Sequence, residues 1–322
     1  MKKYFTSLLF FIFILSACGG ETTTEIPAIE PTIESTATQV PTMEPTAVHP
    51  TPEVIIPTPT ITPTEEPITY RTSSIDGMPQ VYIPVGTFHM GGFDVRAAPE
   101  EFPAHDVTLD AYWMDQLEVT NAMYQLCVNA GVCTLPQNLG TARKSDYFNN
   151  PDFKDYPVVY VTWGQAKTYC EWADRRLPTE AEWERAARGD DMRTFPWGED
   201  KPDERFANFN MLVKDTSRVG SYPMGASPFG VLDMAGNVAE WTNDIYRPNY
   251  YSISPSVNPQ GPAEGTTFFR VVRGGSLGDA GINIRVSKRS SVLGSDLRAE
   301  KGSEDYLGDF SPRIGFRCVQ DE

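Results

Sequence analysis

Positive charge is what this 322-residue sequence has least of. Its 27 Lys and Arg stand against 43 Asp and Glu, a formal net charge of −16. That shortage excludes nucleic acid as a partner, because phosphate backbones are bound through clustered basic side chains. It also argues against a domain lying flat on an anionic membrane. Cysteine is scarce too: five residues, at positions 18, 127, 133, 170 and 318, none with the spacing of a zinc site. A serine hydrolase centred on Ser276 would need a base beside it, and the sequence marks none. Neither a repeat nor a second linker interrupts the roughly 250 residues from Arg71 onward, which suffice for one large domain or two small ones.

What is present begins with MKKYFTSLLFFIFILSACGG. Lys2 and Lys3 precede an unbroken apolar run from Leu8 to Leu15, too short to span a bilayer. Small residues then lead to Cys18, the pattern of an export leader. Leu15-Ser16-Ala17-Cys18 resembles the lipobox of bacterial lipoproteins. That implies cleavage before Cys18, lipidation of its thiol, and an outward-facing, lipid-anchored place in the cell envelope. Residues 19–70 are rich in Thr and Pro, and from position 21 they hold eight Glu and no Lys or Arg. Such a segment cannot bury enough apolar surface to offset its chain entropy, so a disordered stalk is expected. Without the leader the net charge is −18. The expected organisation is a leader at 1–18, a stalk at 19–70 and a folded domain at 71–322.

Export permits disulfides. With Cys18 lipidated, four cysteines allow three pairings. Cys127 and Cys133 close a short loop at a predicted helix end and are paired on that ground, leaving Cys170 with Cys318. Val81–Pro84 and Gly86–Gly92 read as two short strands, Val107–Trp113 as another, and the β-branched Val158–Val161 as a buried strand. Thr120 reads as an N-cap for a helix ending at Gly131. Thr162 with Gln165, and Thr179 with Glu182, read as capping boxes for helices reaching about Asp174 and Gly189. Beyond Gly189 the chain is rich in Gly, Pro, Asn and aromatics. The class is α+β: two or three helices, a few short strands and much irregular chain.

Several stretches together resemble the formylglycine-generating enzyme, or sulfatase-modifying factor, family. They are Gly86-Thr87-Phe88-His89-Met90-Gly91, Glu118-Val119-Thr120-Asn121, Tyr156-Pro157-Val158-Val159, RLPTEAEWERAARG at 176–189 and Pro196-Trp197-Gly198. They continue with FGVLDMAGNVAEWTND at 229–244, Arg273-Gly274-Gly275-Ser276 and Gly315-Phe316-Arg317-Cys318. The resemblance covers about residues 77–319, in order. It implies one compact domain with a C-type-lectin-like fold, and it supports the Cys170–Cys318 bridge. Within RLPTEAEWERAARG, Trp183 and the alanines are expected in the core, with Arg176 and Glu180 as buried partners.

The resemblance also implies two structural calcium ions, held by the carboxylates, amides and carbonyls that hard cations prefer. One set maps to Asp233, Gly236, Val238 and Glu240. The other maps to Asn208, Phe209, Asp215 and Ser217, in a shorter loop than the enzymes have. The family's oxidases use copper held by two cysteines just after the RGGS motif, since soft thiolates suit Cu(I). Here those positions are Asp279 and Ile284, so no copper is expected. Arg273 and Ser276 remain as pocket positions, and Ala239 replaces the family's tryptophan. An iron site of the superfamily's sulfoxide-synthase type would need histidines, and only His49, His89 and His105 exist. Residues 277–312 match the family least and are expected to wall the pocket. Three functions stay open: a module binding a peptide, glycan or small ligand; an enzyme of the superfamily using non-cysteine chemistry; and a structural envelope module.

Overall fold

The computed structural model describes residues 67–263, 268–295 and 308–322; Cys18, the leader and the stalk up to residue 66 lie outside them. The first strand, β1 (Tyr70–Thr72), starts at Tyr70, which the sequence reading left in the stalk. It pairs with β2 (Pro79–Ile83), whose Val81 and Ile83 point into the core. β3 (Gly86–Met90) follows after a short turn but joins β4 (His105–Leu109) in a separate two-stranded sheet. β5 (Tyr112–Asp115) and the C-terminal β10 (Val319–Asp321) complete the first sheet, ordered β1-β2-β5-β10 and antiparallel throughout. A third sheet holds β6 (Ala239–Ile245), β7 (Phe269–Arg273), β8 (Ser290–Leu293) and β9 (Ile314–Gly315), ordered β8-β7-β6-β9, with β9 parallel to β6.

Three α-helices occur among the described residues, each started by the threonine its sequence suggests. The Thr120 side chain accepts from the Met123 amide at the head of α1 (Asn121–Asn129). Thr162 with Gln165 and Thr179 with Glu182 form reciprocal capping boxes on α2 (Trp163–Trp172) and α3 (Glu180–Arg188). Gly189 closes α3 at φ 76°, where a side chain is disfavoured. Both disulfides form as expected, Cys127–Cys133 and Cys170–Cys318. The second joins α2 to the segment before β10 across 148 residues. In chain-entropy terms a loop that long is worth roughly 4–5 kcal/mol.

The bridge sits in a core cluster with Tyr124, Tyr169, Trp241 and Phe316. A second cluster gathers β2 to β5 around Trp183, Ala186 and Ala187 of α3. α3 carries five charged residues among nine, yet every residue on it is buried. Its glutamates and Arg188 are held by counter-charges, while Arg185 donates to the Pro84 carbonyl and pairs with exposed Asp190.

Four local expectations fail. Val107–Trp113 is two strands, because Asp110 leaves the β4 ladder to bond the Asn258 side chain and the chain turns into the other sheet. Val158–Val161 is buried but forms no strand: its Val158 amide bonds the Val119 carbonyl and Tyr160 lies at φ 59°. Strand-like composition there reports burial, which β-propensity largely measures. α2 stops before Asp174, which lies at φ 57°. Arg176 and Glu180 are not partners: Arg176 pairs with Glu182 and Asp321, and Glu180 with Arg273 and Arg289.

Candidate functional site

β7 delivers the chain into Gly274 and Gly275, both at positive φ (85° and 64°). A Cβ on Gly275 would lie 2.6 Å from the Asn283 carbonyl, so only glycine fits between the strand end and the turn that follows. Ser276 comes next and is buried; its amide and hydroxyl both donate to Asp279 Oδ2, at 2.8 and 2.7 Å. Asp279 therefore caps its own turn. Ile284 is fully buried in a cluster with Phe195, Ala207 and Ala235. Arg273, expected in the pocket, is inside the protein instead. It donates to Glu180, pairs with Glu184 and bonds the carbonyls of Val286 and Ser287.

Both expected cation loops are bonded to this cradle. The Gly236 amide donates to the Gly274 carbonyl, and the Asn210 and Met211 amides donate to Asp279 and Leu277. At their centre is Asn237, a residue the sequence reading gave no role. Its backbone amide donates to the Asn208 carbonyl and its carbonyl accepts from Leu277. Its side chain donates to Glu118 at 2.7 Å and accepts from the Ser217 amide at 2.9 Å. Gly236 has to be glycine at its φ of 79°, since a Cβ would lie 2.4 Å from the Asn208 carbonyl.

Around Asn237 the charges do not balance. Glu118 and Glu240 are 0% exposed and Asp233 is 6% exposed, and the buried cation beside them is Arg317. Arg317 forks onto both oxygens of Glu240 at 2.7 Å, and Trp183 Nε1 donates to the same carboxylate. Asp233 accepts from the Gly220 amide, and Glu118 from Asn237 and Val238. Burial, then the nearby Asp233 and Glu240 charges, push the Glu118 carboxyl well above its usual range. Burial, with a further contribution from Glu240, pushes Asp233 up to about 6. Both shifts say that negative charge here lacks compensation.

Glu118 and Arg317 belong to the Glu118-Val119-Thr120-Asn121 and Gly315-Phe316-Arg317-Cys318 stretches, and nothing local in either marks the charged residue as buried beside Asn237 or Glu240.

The donor set suits a hard cation: carboxylates of Asp233 and Glu240, with the Gly236 and Val238 carbonyls nearby in sequence. Among the described residues no three His, Cys, Asp or Glu side chains converge as a metal centre, so carbonyls would have to supply part of the shell. In the second loop Asn208 Oδ1 is buried and has no hydrogen-bond partner. That orphan oxygen suits a hard cation as a ligand. The Phe209 side chain packs beside Ile284, and its carbonyl takes the Leu212 amide. The positions of the copper thiolates do not fit copper: one holds a turn-capping carboxylate and the other a buried alkyl chain.

Comparison with known proteins gives consistent relatives. A family model described as the sulfatase-modifying factor enzyme 1-like domain matches residues 67–322. A Chlamydia pneumoniae protein named serine/threonine-protein kinase pkn1 is 36% identical over 253 residues, 74% of this chain and 37% of that protein. The formylglycine-generating enzyme of Mus musculus is 33% identical over 290 residues, 75% of this chain and 74% of the enzyme. The solved structure of PvdO from Pseudomonas aeruginosa aligns with a TM-score of 0.65 at 28% identity, covering 80% of this chain and all of that one. The alignments thus span little more than a third of the length of the Chlamydia relatives.

Proposed function

Because the chain belongs to the sulfatase-modifying factor enzyme 1-like family, we propose that its domain is a calcium-stabilised binding module that has lost the family's copper oxidation. Its fold is the family's C-type-lectin-like one. One observation carries the reading: the two positions that would ligate copper are spent on structure. Asp279 is tied to Ser276, and Ile284 fills a core cluster. The four cysteines of the domain are bridged to each other, so none is a free thiolate. The cradle keeps its backbone shape without the side chains that reacted.

Calcium would be held by Asp233 and Glu240 with the Gly236 and Val238 carbonyls, and by Asn208 and Asp215 with the Phe209 and Ser217 carbonyls. When bound, it would neutralise charge and fix loops, without taking part in any bond-making. The ligand class is a peptide, glycan or small molecule presented outside the cell, with Cys18 lipidated and the Thr/Pro-rich stretch as spacer. The test is direct. A Cys-x-Pro-x-Arg peptide incubated with the protein, copper and reductant should yield no formylglycine above a protein-free control, by mass spectrometry. Aldehyde product would reverse the reading. The anchor is tested separately: Cys18→Ser should leave the membrane fraction or fail to mature, and unchanged fractionation and processing would refute it.

A further inference from the structure

The second cation loop has a feature that neither family nor composition assigns. Lys144, from the segment between α1 and α2, brings its ammonium to 3.6 Å from Asp215 Oδ2. The same ammonium donates to the Thr216 carbonyl at 3.3 Å. Three rings box it in: Tyr156 at 4.5 Å, Phe153 at 4.9 Å and Tyr147 at 5.3 Å. The lysine side chain is 16% exposed and the Asp215 side chain 12%, so water screens this pair poorly. Asp215 is otherwise held by Thr141 Oγ and by the Thr216 amide. The ammonium therefore meets a carboxylate, a backbone carbonyl and aromatic faces, each of which attracts a cation. In the same loop the Asn208 amide nitrogen donates to the Asp215 carbonyl, while buried Asn208 Oδ1 has no hydrogen-bond partner.

We propose that the Lys144 ammonium is the built-in counter-ion of the Asn208–Ser217 loop, which a divalent cation has to displace in order to bind there. The inference rests on reading that loop as a cation site. Its physical basis is competition: one positive charge near Asp215 already satisfies the carboxylate and repels a second. The loop then keeps its shape at low calcium and takes the ion weakly. At the other site Arg317 is paired with Glu240, while Asp233 accepts only from an amide.

The test uses calcium calorimetry and thermal melts of the full chain for wild type, Lys144→Gln, Lys144→Met and Asp215→Asn. Glutamine keeps a donor for the Thr216 carbonyl and so protects the fold. Both Lys144 variants should melt lower than wild type in chelator, and calcium should restore them. One calcium site should tighten by about tenfold or more, as expected when a like charge near 4 Å is removed from a weakly screened setting. Asp215→Asn should abolish that site. If Asp215→Asn removes a site while both Lys144 variants bind calcium with wild-type affinity and stoichiometry, the counter-ion role is wrong. If Asp215→Asn leaves the titration untouched, the loop is no cation site and the inference falls with that reading.

Discussion

Trp183 touches two buried ionic clusters, through Glu240 and through Arg273, and they are built on opposite principles. Around α3 the buried glutamates have their bases: Glu180 with Arg273 and Arg289, Glu184 with Arg188 and Arg273, and Glu101 with Arg285. Around Asn237, three carboxylates share one guanidinium. The glutamates and arginines of the first cluster close on one another, and only Asp244 beside Glu180 takes a proton from solution. The second leaves negative charge short of partners, and burial without pairing is costly, so added charge should stabilise it. Part of the domain is thus self-sufficient scaffold, and part is conditional on its surroundings.

The comparison breaks most severely at Arg273. Arg273→Ala would take one of two bases from each of Glu184 and Glu180 in the interior, and removing one partner of a buried ion pair costs roughly 3–5 kcal/mol. Denaturant unfolding should show that loss, and calcium should not repair it. The conditional side behaves in the opposite way. Chelator should lower the melting temperature of wild type. Calcium at about 100 times its dissociation constant should return about 2.7 kcal/mol by mass action. Asp233→Ala or Glu240→Ala should melt lower and lose that response; a wild-type melting temperature indifferent to chelator would end the calcium reading.

A pH series sharpens the contrast on the α3 side. Burial, then the neighbouring Glu180 charge, pushes Asp244 up to about 8, while it accepts the Glu180 amide. The native pKa lies above the ordinary one near 3.9, so the folded chain holds the extra proton between those values. Its stabilising contribution is complete below about pH 4 and drains as pH rises through about 8. Asp244→Asn should flatten stability across that window, measured by denaturant midpoints at fixed ionic strength; an unchanged slope would put the proton elsewhere. The smallest effect is expected at Ser276→Ala, which removes one of two donors to Asp279. It should cost about 1 kcal/mol, with the calcium response intact, as fits a turn and not a reactive centre.

How far the sequence speaks depends on distance along the chain. Thr120, Thr162 and Thr179 announce their helices because a cap acts within three residues. The ionic partners of α3 could not be read this way, since Arg273 and Arg289 lie 93 and 109 residues from Glu180 and obey no period. Arg176 was assigned to Glu180 by proximity, whereas the capping geometry of Glu182 captures it. Arg273 was placed in the pocket with its RGGS neighbours, but the strand ends there and its side chain points back into the core. The Asp279 and Ile284 positions were found by counting from the motif, yet what each side chain does needed the turn around Ser276 to be seen.

Asn237 joins segments that are far apart in sequence: Glu118, the Asn208–Ser217 loop and the turn after β7. A link of this kind makes opening collective. None of the three can peel away without breaking bonds to this one residue, so the Leu277, Ser217 and Asn237 backbone protons belong to one exchange-protected unit. Loops that composition marks as the loosest third of the domain would then exchange with solvent at a single shared rate.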